Sequence, residues 1–297
     1  MKHCKQITLS TILLLCIIPA FAQYHDISVG GHAGVSMYFT DGDFANMPGA
    51  CGGVDIGYAI RGQLNNQNYL GVKIGATLSY AMARHVLGDY HEQYFNTDYE
   101  NWRLLYDITA ETYSERQRQL QVEIPVFLSF WTHGVTINIG AKYMALLNQQ
   151  RRIDATGTCF HVWYEETDVW TEQYLATGRF EGNQHHGLYT KSPMPANHLL
   201  AACEVGYEFN LGKHSRLGLQ AYCDLGIWNN YTNEPPKQRL IDVEPILDEE
   251  YPVPPIHANA LTDTYSTRVR YFSCGVKIYY TFHTGKNKKY ICHCVTD

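Results

Sequence analysis

The stretch LQVEIPVFLSF at residues 120–130, followed by WTHG at 131–134 and VTINIGAKYMA at 135–145, decides how the rest of the chain is read. Leu120, Val122, Ile124, Val126, Leu128 and Phe130 recur at every second position, and Val135, Ile137, Ile139, Ala141, Tyr143 and Ala145 do the same after a short turn. Side chains alternate between the faces of a strand, so each segment has one apolar face and one mixed face. Pro125 has no N–H to donate, so one ladder bond must be missing there. With Thr132 and His133 as the two turn residues, a constant index sum sets Glu123 directly opposite Lys142, an ion pair on the mixed face.

Six further stretches carry the same period. The first, His25 to Phe39, places Ile27, Val29, Ala33, Val35, Met37 and Phe39 on one side. The others cover 53–62, 70–82, 199–209, 217–227 and 272–282. The connections run to about 13, 6, 34, 4, 50, 4 and 39 residues, alternately long and short, as in barrels with tight periplasmic turns and larger extracellular loops. A strand crossing hydrocarbon shows one side to lipid and the other to the lumen, and every backbone group must pair, which forces closure. The expected fold is therefore all-β: an eight-stranded antiparallel up-and-down transmembrane β-barrel with long extracellular loops.

The amino terminus carries Lys2 and Lys5, an apolar run from Ile12 to Ile18, then Pro19 and Ala20-Phe21-Ala22, a secretory signal cleaved before Gln23. Leu13, Leu14 and Leu15 ahead of Cys16 lack the small residue that lipoprotein processing prefers. The expected organisation is a signal peptide at 1–22, an outer-membrane barrel at 23–283 and a short periplasmic tail at 284–297. Beyond the signal no apolar run approaches the roughly 20 residues of a membrane helix. Removing two lysines leaves 21 basic against 29 acidic residues, about −8, which argues against nucleic acid as a partner.

Seven cysteines follow the signal, an odd number for an exported chain. A three-residue turn near Gly212, Lys213 and His214 places Cys203 opposite Cys223, which could form a cross-strand disulfide or remain as two small lipid-facing thiols. Cys292, His293 and Cys294 offer three adjacent ligands where zinc takes four, so no metal and no cofactor is expected.

The inward faces carry Asp55, Lys73, Glu123, Lys142, Glu204, Glu208, Asp224 and Lys277, with Arg61 and Arg216 at strand ends. Eight strands enclose a space about wide enough for side chains to fill, so these charges are expected to neutralise one another as a plug. In the third long loop Phe160, Trp163, Tyr164, Trp170 and Tyr174 mix with acidic residues, a composition that suits a partner surface or a self-packed extension of the strands.

The segment from Leu120 to Phe130 with Ile139-Gly-Ala-Lys-Tyr-Met-Ala-Leu-Leu147 resembles the outer-membrane β-barrel domain family that includes PorT-like and OmpA-like small barrels. Near the carboxyl end Ser273, Gly275, Ile278 and Tyr280 look like the assembly signal of that family. The resemblance implies an integral protein of the Gram-negative outer membrane, in contact with outer-membrane lipid and with the barrel assembly machinery during biogenesis. The long loops add the expectation of an unknown extracellular or periplasmic protein partner, and the resemblance adds a role in secretion as one reading.

The function expected is non-enzymatic. One alternative is a lipid-modifying enzyme using His85, His91, His161, His185, His186 or His198. The other is a narrow channel lined by Glu123, Lys142, Glu204 and Lys277.

Overall fold

The computed structural model describes residues 22–40, 44–65, 67–97, 100–156, 159–173, 197–212, 214–227, 239–243, 256–258, 261 and 269–283. Residues 1–21 of the expected signal peptide, the expected tail at 284–297, and Tyr174, His185 and His186 lie outside them.

Eight strands form the wall: β1 (Ala22–Thr40), β2 (Ala45–Gln63), β3 (Asn68–Thr97), β4 (Arg103–Thr132), β5 (Val135–Thr156), β8 (Asn197–Asn210), β9 (Ser215–Gly226) and β12 (Val269–His283). Each pairs antiparallel with the next in that order. Pairing of β12 with β1 and of β3 with β4 closes the ring. Four short strands lie outside it. β6 (Cys159–Tyr164) continues the sheet along the far half of β4, β7 (Val169–Gln173) pairs with β6, and β10 (Ile241–Val243) pairs with β11 (Ile256–Ala258).

The two faces of the wall follow the period-2 pattern. Val54, Ile56, Ile124, Ile139, Leu219, Val276 and Ile278 point outward and are exposed, while Asp55, Glu123, Asn138, Gln220 and Lys277, one residue away, are buried in the lumen. An exterior of bare aliphatic and aromatic side chains around a charged interior inverts a water-soluble protein. It is the wall of a membrane-spanning barrel.

β3 and β4 are each 30 residues long. A crossing strand takes about 9–11 residues, so this hairpin continues far beyond the hydrocarbon, by some 50 Å along the strand. The 34-residue connection expected at this point is therefore mostly strand. The apolar alternation ends near Tyr80 and Leu120 because lipid ends there. Beyond that level the inner face is filled by Tyr90, Tyr94, Leu104, Tyr106, Ile108 and Val162, packed against Leu240, Ile241, Val243 and Leu261 from the last long loop.

Two registers bear on the expectations. In the β4–β5 hairpin Thr132 pairs with Val135, so the turn residues are His133 and Gly134, both with positive φ as a type I′ turn requires. Glycine supplies that conformation without strain, and the ladder slides by two against the expected one. Lys142 therefore lies opposite Pro125 and Glu123 opposite Met144. The missing bond of Pro125 falls on its other side, where the β3–β4 ladder is interrupted between Ile74 and Thr77. In the β8–β9 hairpin Cys203 does pair with Cys223, and Cys223 also pairs with Cys274 of β12. All three are free thiols on the outward face.

Candidate functional site: the lumen and the surface sheet

The lumen is built by inward positions of all eight wall strands, and its charges gather in three tiers. Nearest the short turns, Arg61 bridges Asp26 (Nε to Oδ2, 3.2 Å) and Glu208 (Nη2 to Oε1, 3.1 Å). Arg216 adds a second cation to Glu208 at 3.2 Å, and Tyr279 donates to the same carboxylate at 3.0 Å. His283 sits against Asp26.

In the middle tier Lys277 Nζ stands 3.0 Å from Asp55 and 3.4 Å from Glu204, while Lys73 reaches Glu204 at 2.9 Å. His32 and Thr77 complete Asp55, and Asn138 donates to Glu204. The third tier centres on Lys142, 2.8 Å from Asp224 and 3.5 Å from Glu123. The Glu123–Lys142 contact thus forms diagonally across the ladder, as the second and longer of the two contacts made by Lys142. Six carboxylates face five permanent cations, with His32 and His283 each on one of the acids. Burial of such groups is tolerable only when each charge is paired and hydrogen-bonded.

Sequence reasoning missed the polar row above these tiers. Glu115, Gln117, Gln119, Gln121 and Glu123 occupy successive inward positions of β4. Gln117 donates to Glu115 at 2.7 Å, Gln119 to Gln121 at 2.6 Å and Gln121 to Glu123 at 2.8 Å. At the top, the backbone N–H of Leu261 donates to Glu115. The signal was present as alternating Glu and Gln, but a search for apolar alternation stops at Leu120.

Of the histidines considered for catalysis, His91 and His161 both lie beside Asp107, while His85 and His198 stand apart from them. His85 is buried, donates from Nδ1 to Asn46 Oδ1 at 2.9 Å, and burial lowers its pKa from the ordinary imidazole value. His91 is exposed beside Asp107 at 2.6 Å. His161 lies on β6 opposite Asp107, and His198 is buried at the start of β8.

The expected loop aromatics divide between two faces. Val162 is buried in the inner cluster and Tyr164 packs against it, whereas Trp163 faces outward, opposite Trp170 of β7. Phe160 lies on β6 opposite Ile108. Phe95, Leu105, Trp163 and Trp170 are paired in one row across β3, β4, β6 and β7. Trp170 is 53 % exposed and Phe95 44 %, with Arg103 stacked 3.8 Å over the Phe95 ring. Trp163 donates its indole N–H to Asp168 at 3.1 Å.

Of the assembly-signal residues, Ser273 is buried against Asp224 and Ile278 is exposed outward. Gly275 lies where a Cβ would stand 2.2 Å from the Ala33 carbonyl oxygen, so no side chain fits.

The chain is a closed eight-stranded antiparallel barrel. No family model matches it, and no curated protein does. Solved structures similar to it include Ail, the attachment invasion locus protein of Yersinia pestis, at 11 % identity over 89 % of this chain and 99 % of that one, with a TM-score of 0.26. Neisserial surface protein A is similar at 8 % identity over 87 % and 96 %, TM-score 0.26. The outer membrane protein OprG of Pseudomonas aeruginosa follows at 9 % over 89 % and 98 %, TM-score 0.27. The fold assignment rests on the strand pairing itself.

Proposed function

We propose that this chain is an integral, non-enzymatic protein of the Gram-negative outer membrane whose lumen is a closed, ion-paired plug and whose extended sheet presents a binding surface outside the cell. The observation that carries the reading is the two-sided character of that sheet. Its inner face is covered by Ile241, Val243 and Leu261, while its outer face holds the row Phe95, Leu105, Trp163 and Trp170, with Trp170 exposed and Phe95 partly exposed beneath Arg103. Exposed aromatic patches of this kind mark contact sites on rigid scaffolds. The lumen carboxylates are engaged by cations, which supports a structural role for them over a catalytic or conducting one.

Membrane fractionation tests this, with gel mobility compared before and after boiling and protease applied to whole cells. A heat-shifted outer-membrane band clipped in the 157–196 region is expected. A soluble periplasmic protein without a shift would refute the membrane reading, and steady single-channel conductance would replace the plug by a channel. The PorT-like resemblance adds secretion as a finer role, and deletion of the gene with an unchanged set of exported proteins would remove it.

A further inference from the structure

Just above the lipid-facing belt, three arginines on neighbouring strands stand in register. Arg84 of β3 pairs with Arg116 of β4, which pairs with Arg152 of β5, and Arg118 lies two residues below Arg116 on the same outward face. All four are exposed. Strands are spaced about 4.8 Å apart, so the three positions of the row span roughly 10 Å of wall. Like charges placed directly opposite destabilise a sheet. Arg152 is already engaged, with Asp154 at 3.2 Å. Among the described residues no carboxylate lies within ion-pair distance of Arg84, Arg116 or Arg118.

The surroundings define what relieves this repulsion. Met47 flanks Arg84 in the same row and is exposed, Met82 pairs with Arg118, and Tyr80 and Leu120 follow immediately below on the bare apolar exterior. The row is therefore at the boundary where hydrocarbon gives way to headgroups, at the end of the barrel opposite the short turns. A ligand that satisfies both levels has acyl chains below and anionic oxygens above. Arginine forks suit phosphate bidentately.

We propose that Arg84, Arg116, Arg118 and Arg152 form a binding site for the phosphate groups of a phosphorylated glycolipid in the outer leaflet. The acyl chains lie along Met47, Met82, Tyr80 and Leu120. The site rests on the membrane orientation proposed above. It converts an unfavourable row of charge into a clamp between the barrel wall and the lipid around it, and it fixes the depth at which the extended sheet leaves the membrane.

The test uses the full-length protein extracted in detergent from outer membranes and titrated with lipid A, with dephosphorylated lipid A and with inorganic phosphate, bound lipid being read by native mass spectrometry. Wild type is expected to bind lipid A at least tenfold more tightly than its dephosphorylated form, and the Arg84→Gln/Arg116→Gln/Arg152→Gln variant to lose that preference. Equal lipid A binding by the two proteins, or none by wild type, would overturn the site. Inorganic phosphate displacing lipid A at equal concentration would overturn the lipid assignment. Heat-dependent gel mobility, measured on the same samples, reports the barrel separately, so loss of binding with a normal shift concerns the arginines alone.

Discussion

Lys142 is the cation on which the third lumen tier depends, and replacing it by methionine gives a sharp test of how the interior is held. Its ammonium lies 2.8 Å from Asp224 and 3.5 Å from Glu123, and the side chains of all three are at most 7 % exposed. Solvent screening therefore offers little relief. Methionine keeps most of the volume and removes the charge, which leaves two buried carboxylates facing each other without their shared cation. Glu123 retains hydrogen bonds from Ser79 and Gln121, and Asp224 retains one from Ser273 at 3.3 Å.

Removing one partner of a buried pair costs about 3–5 kcal/mol. At about 1.4 kcal/mol per power of ten, that is a loss of two to four powers of ten in the folding equilibrium. Urea unfolding of the protein refolded into phospholipid vesicles measures it. The triple variant Glu123→Gln/Lys142→Met/Asp224→Asn removes all three charges and is expected to recover most of the loss, to within about 2 kcal/mol of wild type, because the cost lies in unpaired charge and not in packing. A Lys142→Met loss below about 1 kcal/mol would refute the reasoning. So would a triple variant as unstable as the single one.

The type I′ turn predicts opposite effects at adjacent residues: Gly134→Ala, at φ +89° with a Cβ 2.7 Å from the Tyr207 ring, should destabilise by about 1–2 kcal/mol, while His133→Asn should stabilise by a few tenths, both read in the same unfolding assay. Register predicts cysteine cross-linking. The Ile227 N–H to Leu199 carbonyl bond makes Cys203–Cys223 a hydrogen-bonded pair, and the His283 N–H to His214 carbonyl bond makes Cys223–Cys274 the non-hydrogen-bonded pair with closer side chains. Mild oxidation in detergent should link Cys223 to Cys274 first by peptide mapping, and a Cys203–Cys223 product appearing first would contradict that register. Burial lowers the pKa of His85, so the folded state resists its protonation; this stabilisation is complete above the ordinary value near 6.5 and is lost as pH falls below it. Amide protection factors around Ala83–Val86, taken relative to the intrinsic exchange rate at each pH, should fall between pH 7.5 and pH 5 in wild type, and His85→Gln should weaken that dependence.

The strand faces were legible in the sequence because a chain crossing hydrocarbon must repeat its apolar character every second residue, and that constraint acts on each strand alone. It placed Asp55, Lys73, Glu123, Lys142, Glu204, Glu208, Asp224 and Lys277 on the inward side with no knowledge of their neighbours. It was silent beyond Tyr80 and Leu120, where water replaces lipid and the outward positions become Arg84, Arg116 and Arg118. There β3 and β4 continue as strands because their inner faces carry tyrosines to bury, and part of what covers those tyrosines, Leu240, Ile241, Val243 and Leu261, comes from a loop more than a hundred residues later in the chain. Beyond a single hairpin, where turn length set Cys203 opposite Cys223, relations between strands followed no local rule. The contact of Lys142 with Asp224, the meeting of Cys223 with Cys274 and the alignment of Arg84 with Arg116 and Arg152 depend on turn conformation, on bulges such as the one beside Leu120, and on closure of the ring. Period two tells each residue which side it faces; only the closed sheet decides which residue it faces.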